Sequence, residues 1–99
     1  MFSEEEAALI NKVRVCRLAT VSRGCSPHVV PVCHAFDGEK IYIATDEGTR
    51  KVRNIESNPR VAVVFDEYFE PWGRNRAVLV IGRAEVLRGG EEYERAARL

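Results

Sequence analysis

A cluster of cations stands where the sequence predicts the first turn of a helix. Thr49 is expected to cap this helix, and Arg50, Lys51 and Arg53 follow it. Exposed cations at this end oppose the helix macrodipole by about 0.3–1 kcal/mol each, unless an anion binds them together with the free N–H groups. A phosphate monoester has suitable charge and acceptor oxygens, and Gly48 lets the backbone approach it. The alternative is a solvated basic face that pairs with Asp46, Glu47 and Glu56.

A proline interrupts the strand predicted over His28–Phe36. Pro31 has no backbone N–H, so its neighbourhood is expected to be an edge, a bulge or a position facing something other than a strand. Main-chain donors and acceptors there could read a planar heterocycle, or Pro31 could mark a barrel corner. His34 is a candidate ligand contact in the same strand, although a histidine with a structural hydrogen bond is the more common case.

The only tryptophan, Trp72, lies in a loop predicted over 68–74, between Pro71 and Gly73. An aromatic side chain on a loop suits stacking on a ring or anchoring a partner subunit. The alternative is a hydrophobic residue buried in a dimer interface. Both interpretations hold together if a ligand lies at that interface.

The sequence lacks the other familiar catalytic patterns. No Ser-His-Asp order and no phosphate-binding P-loop occurs. Cys16, Cys25 and Cys33 contain no Cys-x-x-Cys pair, so we expect free thiols and no zinc site. We therefore predict neither a catalytic side chain nor a metal.

Length and charge narrow the class of protein. The 99 residues predict one domain, and so short a chain gains from an oligomer interface. Net charge is zero, from 15 basic and 15 acidic residues, which argues against a nucleic-acid partner. The acidic N-terminus is unlike a signal peptide, and no apolar run reaches the length of a membrane span. We expect a cytoplasmic protein with no membrane partner.

Hydrophobic periodicity and turn residues predict three helices and five strands. They cover Ser3–Val13 (helix), Val15–Val21, His28–Phe36 and Ile41–Thr45 (strands), Arg50–Ser57 (helix), Arg60–Asp66 and Ala77–Leu87 (strands), and Glu91–Leu99 (helix). Because hairpin-linked strands dominate, the fold class is mainly β (α+β), with an antiparallel sheet. Five strands with short helices predict a small barrel that carries the helices as lids.

An ordered set of short motifs resembles the pyridoxamine 5′-phosphate oxidase-like FMN-binding split-barrel superfamily. The motifs lie at Arg17–Val21, Pro27–Val32, Ile43–Thr45, Gly48–Lys51, Asn58–Val61 and Val78–Glu85. The resemblance implies a single split-barrel domain over 1–99 that forms a homodimer with two FMN sites at its interface. It places the flavin phosphate on Arg50 and Lys51 and runs the strand from Val29 to His34 along the flavin ring. The implied cofactor contacts are Val30, Pro31, Val32, His34, Ala44, Thr45, Thr49, Arg50, Lys51 and Trp72.

The sequence also departs from the superfamily's vitamin B6 oxidases. Those enzymes carry a glutamine where this chain has Ala77, and their C-terminal strand and substrate-binding segment have no counterpart before Leu99. Oxidation of pyridoxamine 5′-phosphate is therefore not expected. The segments Cys33–Gly38 and Asp66–Trp72 are more similar to a branch that includes reductases dependent on the deazaflavin coenzyme F420.

The resemblance implies a flavin-dependent oxidoreductase. The alternatives are an F420-dependent reductase and a flavin-binding carrier without turnover. The superfamily also contains haem-degrading members, for which His34 would be the candidate contact.

Overall fold

The computed structural model describes residues 1–99 and confirms the predicted order of elements. The helices are α1 (Glu4–Lys12), α2 (Arg50–Ser57) and α3 (Glu91–Ala97), and the strands are β1 (Val15–Val21), β2 (Pro27–Phe36), β3 (Ile41–Ile43), β4 (Arg60–Glu67) and β5 (Arg76–Arg83). A short 3₁₀ turn, Trp72–Arg74, lies in the loop between β4 and β5. No helix is long and apolar enough to cross a membrane.

The strands form one antiparallel sheet in the order β3-β2-β1-β4-β5. The sheet curls into a half barrel, which confirms the predicted split-barrel fold class. β2 is the longest strand and changes partners along its length. Residues 27–33 pair with β1, whereas residues 34–36 pair with β3 on the opposite edge. The edge of β2 opposite β1 is therefore open before His34.

Local sequence signals account for the first helix and the second hairpin. The Ser3 hydroxyl accepts a hydrogen bond from the Glu6 N–H at 3.1 Å, and the Glu6 carboxylate accepts one from the Ser3 N–H at 2.8 Å. This is the reciprocal capping box that S-x-x-E predicts. In the hairpin, the Asp37 carboxylate accepts the Glu39 and Lys40 N–H groups at 2.8 and 2.7 Å. These backbone bonds lower the pKa of Asp37.

Two strands end earlier than the sequence predicts. β5 stops at Arg83, not Leu87, because it pairs only with β4, whose first residue, Arg60, lies opposite Arg83. Pro59 then has no N–H to continue the ladder, and only its carbonyl takes part, accepting the Ala84 N–H at 2.8 Å.

β3 stops at Ile43 and not at Thr45, because its pairing with β2 ends at His34–Ile43. α3 likewise ends at Ala97, two residues before the predicted end. The residues freed from β3 lie in the connection to α2.

The core lies on the inner face of the sheet. Its buried residues come from α1, β1 and β4: Ile10, Cys16, Leu18, Val63 and Phe65. α2 is held against β1 by a buried hydrogen bond, in which the Asn54 amide donates to the Thr20 hydroxyl at 2.9 Å. This bond fixes α2, and so the start of α2, relative to the sheet.

The outer face of the sheet carries exposed apolar side chains around one ion pair, in which Arg17 donates to Asp66 at 2.9 Å. Val29, Leu79 and Ile81 keep 64%, 62% and 78% of their surface accessible. Cross-strand pairing aligns Pro31 with Arg17, Arg17 with Val64 and Val64 with Leu79 in one row across four strands. Large apolar patches of this kind mark interaction surfaces.

Candidate cofactor site at the open edge of β2

The open edge of β2 and the connection between β3 and α2 border an open pocket of about 460 Å³. This volume falls within the range of about 300–1,000 Å³ that is typical of small-molecule sites. The lining residues are Pro31, Val32, Cys33, Ala44, Thr45, Asp46, Thr49 and Lys51. The structure therefore brings together most of the residues singled out from the sequence on two separate segments.

The partner change of β2 creates this pocket. One edge of β2 at Pro31 pairs with β1, but once β3 has ended at Ile43 no strand pairs with the opposite edge of this stretch. A proline disrupts a sheet least at such an unpaired edge. The backbone of β2 next to Pro31 is thus available to a ligand.

The first turn of α2 forms one end of the pocket and has no side-chain cap. Thr49 occupies the N-cap position, but its hydroxyl donates to the Asp46 carbonyl at 3.1 Å and lies 3.4 Å from the Thr45 hydroxyl. The first turn contains no acidic residue. α1, by contrast, begins with a complete capping box and three glutamates. The N–H groups at the start of α2 lack any side-chain acceptor, which favours an anion there.

The cations of this turn are not neutralised by neighbouring carboxylates. Arg50 and Lys51 take part in no salt bridge. Arg53 donates to the Gly48 carbonyl at 3.1 Å. The pairing considered from the sequence does not form, because Glu47 and Glu56 bind Arg88 and Asp46 forms no salt bridge.

Gly48 shapes the entry to α2. Its φ of 76° lies in the left-handed region, which a residue with a Cβ adopts at an energetic cost. No atom lies within 4 Å of where a Cβ would stand, so the position requires glycine for its conformation and not for space. The resulting turn presents the N-terminus of α2 to the pocket.

Four of the predicted contacts do not line this pocket: Val30, His34, Arg50 and Trp72. Val30 lies opposite Leu18 on the inner face. Arg50 is exposed beside Lys51. Trp72 is 73% exposed at the far edge of the sheet, where its indole N–H donates to the Tyr68 hydroxyl at 3.0 Å.

His34 has a structural hydrogen bond in this protomer. Its Nε2 lies 2.8 Å from the Ile10 carbonyl, so this nitrogen is the donor. Its ring meets Phe65 edge-on, with centroids 4.8 Å apart. The side chain thus joins α1 to the sheet on the inner face, away from the pocket.

Cys33 and Asp46 line the pocket although neither was among the predicted contacts. Strand alternation could have identified Cys33 from the sequence, because Cys33 lies two residues after Pro31 and therefore on the same outward face of β2. Its thiol is exposed, whereas Cys16 is buried, and burial raises the pKa of the Cys16 thiol to about 11. No group of three or more His, Cys, Asp or Glu residues is placed to hold a metal ion.

Comparison with known proteins identifies the family of this chain. The family model of pyridoxamine 5′-phosphate oxidase matches residues 2–99. A pyridoxine/pyridoxamine 5′-phosphate oxidase from Escherichia coli is 38% identical over 73 residues, which cover 71% of this chain but only 31% of that enzyme. A 5a,11a-dehydrotetracycline/5a,11a-dehydrooxytetracycline reductase from Streptomyces rimosus is 38% identical over 98 residues, or 92% of this chain and 68% of the reductase.

Solved structures show the same fold. An FAD-binding protein from Mesorhizobium loti superposes with a TM-score of 0.82 at 30% identity, covering 99% of this chain and 70% of that one. A heme storage protein from Vibrio cholerae gives a TM-score of 0.80 at 21% identity, with 99% and 72% covered, a likeness of fold alone. The chain belongs to the pyridoxamine 5′-phosphate oxidase family and has the fold of its flavin-binding split barrels.

Proposed function

We propose that this chain binds FMN in the pocket beside β2 and acts as a flavin-dependent oxidoreductase. The observation that carries the proposal is the start of α2, which is basic, uncapped and free of salt bridges, next to an open strand edge. The oxidoreductases among its relatives support the same class of reaction.

A phosphate monoester fits the start of α2. Free N–H groups, the helix dipole, Lys51 and Arg50 would all act on the same anion. The hydroxyl of Thr45, 3.4 Å from that of Thr49, would supply a further donor, whereas the Thr49 hydroxyl already donates to the Asp46 carbonyl. Asp46 is the one acidic side chain that lines the pocket, whereas the first turn of α2 carries three cations, Arg50, Lys51 and Arg53.

A flat ring system fits the other end of the pocket. Pro31, Val32 and Cys33 of β2 line the pocket together with Ala44 and Thr45 of the connection to α2. Main-chain N–H and C=O groups on the open edge can bond the polar edge of a flavin ring, while Pro31 and Val32 offer apolar contact.

FMN, when bound, would supply the hydride chemistry. The protein would bind and orient the flavin and limit the access of water to it. Lys51 would fix the phosphate, and the edge of β2 would fix the ring relative to a substrate that enters from the open side.

A second copy of the chain is the proposed partner. The exposed outer face, with Leu79 and Ile81 from β5, is apolar enough to form the centre of a dimer interface. In such a dimer Trp72, remote from the pocket of its own protomer, could reach the pocket of its partner. This arrangement would reconcile the two roles considered for the tryptophan.

Absorption spectroscopy tests the cofactor. The chain is incubated with FMN, FAD or coenzyme F420 and then freed of unbound ligand. The proposal expects flavin bands and one FMN per chain. If the chain retained F420 but neither flavin, the proposed cofactor would be F420, and the F420-dependent reductase would be favoured. A Soret band after incubation with haem, and no flavin bands, would overturn the proposal.

Turnover separates an oxidoreductase from a carrier. The FMN-loaded chain is mixed with NADPH or NADH under anaerobic conditions, and bleaching of the flavin band is followed. Reduction faster than that of free FMN supports an oxidoreductase. Reduction no faster than that of free FMN, with either nucleotide, favours a non-catalytic flavin-binding module.

Pyridoxamine 5′-phosphate is not the proposed substrate. Ala77 replaces the glutamine of the vitamin B6 oxidases and offers no side-chain hydrogen bond. With FMN supplied in air, we expect no pyridoxal 5′-phosphate formation above the rate of free FMN. Formation of pyridoxal 5′-phosphate at about 1 per second or faster, an ordinary enzyme rate, would show that this oxidation does not need a glutamine at position 77.

A further inference from the structure

Arg88 binds two glutamates that lie 41 and 32 positions before it in the sequence. It follows β5, and its guanidinium donates to both carboxylate oxygens of Glu47, at 2.5 and 3.0 Å. One of the same nitrogens donates to Glu56 at 2.6 Å. Glu47 belongs to the connection before α2, and Glu56 to the last turn of α2. One cation thus holds two carboxylates beside the helix that begins at the phosphate end of the pocket.

Without Arg88, Glu47 would have another partner nearby. It precedes Arg50 by three residues and lies next to an uncapped helix N-terminus, which attracts carboxylates. A glutamate there would occupy the N–H groups and cations that a phosphate needs. Hydrogen bonds from Arg88 lower the pKa of Glu47, which favours its ionised form.

Glu56 differs from Glu47 in its position on the helix. It lies near the C-terminus of α2, where a carboxylate opposes the helix dipole. The helix rises about 1.5 Å per residue, so the backbone of Glu56 is roughly 9 Å from that of Arg50. At this distance it cannot replace a phosphate at the first turn.

We propose that Arg88 is a positioning residue that keeps the anion site at the start of α2 vacant for phosphate by holding Glu47 away from it. This rests on the proposed function, since the anion is taken to be the FMN phosphate. The other role for Arg88 is to fasten the connection before α2, which would support the whole pocket and not the phosphate end alone.

Riboflavin separates these roles because it has the ring of FMN but no phosphate. Dissociation constants for FMN and riboflavin are measured by fluorescence titration for the wild type and Arg88→Ala. Interactions between exposed charges change an affinity by about two- to fivefold. We expect Arg88→Ala to weaken FMN binding about two- to fivefold and to leave riboflavin binding unchanged.

Rescue by a second substitution completes the test. Arg88→Ala with Glu47→Gln should restore FMN affinity to the wild-type value, because the competing carboxylate is gone. Arg88→Ala with Glu56→Gln is the matched control and should restore little. Arg98→Ala, which removes a cation that forms no salt bridge, controls for net charge.

Two results would overturn the role of Arg88. One is equal weakening of FMN and riboflavin without rescue by Glu47→Gln, which would show that Arg88 fastens the connection. The other is unchanged FMN affinity in Arg88→Ala. Failure of the proposed function is distinct, because the wild type would then already bind FMN no better than riboflavin.

Discussion

Replacing both Arg50 and Lys51 by alanine removes the two side-chain cations proposed to hold the cofactor phosphate. α2 should still form, since alanine has a higher helix propensity than either residue and neither side chain forms a salt bridge. The N–H groups at the start of the helix stay in place. The variant therefore changes the charge of the site and leaves its backbone intact.

The size of the effect follows from the exposure of the two side chains. A hydrogen bond to a charged group contributes about 1.5–3 kcal/mol. Arg50 is exposed, so water screens much of its interaction, whereas Lys51 is half-buried and lines the pocket. Counting one full interaction gives a lower bound of about 1.5 kcal/mol, or roughly tenfold in the dissociation constant of FMN.

The assay is a fluorescence titration of FMN at fixed ionic strength. The control is Arg23→Ala with Arg98→Ala, which removes the same charge from an exposed turn and from the end of α3. We expect at least tenfold weaker FMN binding in the site variant and less than a twofold change in the control. Equal FMN affinity in the site variant and the wild type would refute the phosphate assignment.

Three further expectations follow from the same structure. Saturating FMN should protect Cys33 from alkylation, while the exposed thiol of Cys25 reacts as before; equal labelling of Cys33 with and without FMN, measured by mass spectrometry, would place the ligand elsewhere. Asn54→Ala should lower the free energy of unfolding by about 1–3 kcal/mol, because it leaves the buried Thr20 hydroxyl unpaired; an unchanged denaturant midpoint would contradict this. Ile81→Arg should convert a dimer to a monomer in sedimentation equilibrium, and a wild type that is monomeric at micromolar concentration would contradict the dimer.

The parts of the fold that the sequence predicts are those set by near neighbours. The capping box of Ser3 and Glu6 and the turn at Asp37 each depend on residues within three positions. Inward and outward faces of β2 follow from strand alternation. The sequence also predicts the basic first turn of α2, because its cations lie within four positions of one another.

Strand ends and charge pairing depend on distant residues. β5 ends where β4 begins, which the composition of residues 84–87 does not reveal. Glu47 lies 41 positions before Arg88, so the sequence offered no reason to pair them and left Arg50 and Lys51 as the nearest partners. Only the fold shows that Glu47 and Glu56 pair with Arg88 and leave Arg50 and Lys51 without a salt bridge.

His34 illustrates a third case. Its position in β2 follows from the sequence, but its partner is the Ile10 carbonyl at the end of α1. The packing of a helix across a sheet decides which strand residues meet a backbone carbonyl. Sequence patterns alone do not determine that packing.

The most direct test of the account is a comparison of FMN with riboflavin on the unmodified chain. Both ligands share the ring, so their difference in affinity isolates the phosphate at the start of α2. We predict that FMN binds at least about tenfold more tightly and that raising the salt concentration narrows the difference. Equal affinity for FMN and riboflavin, or no binding of FMN, would contradict the central claim that this helix start is a phosphate site.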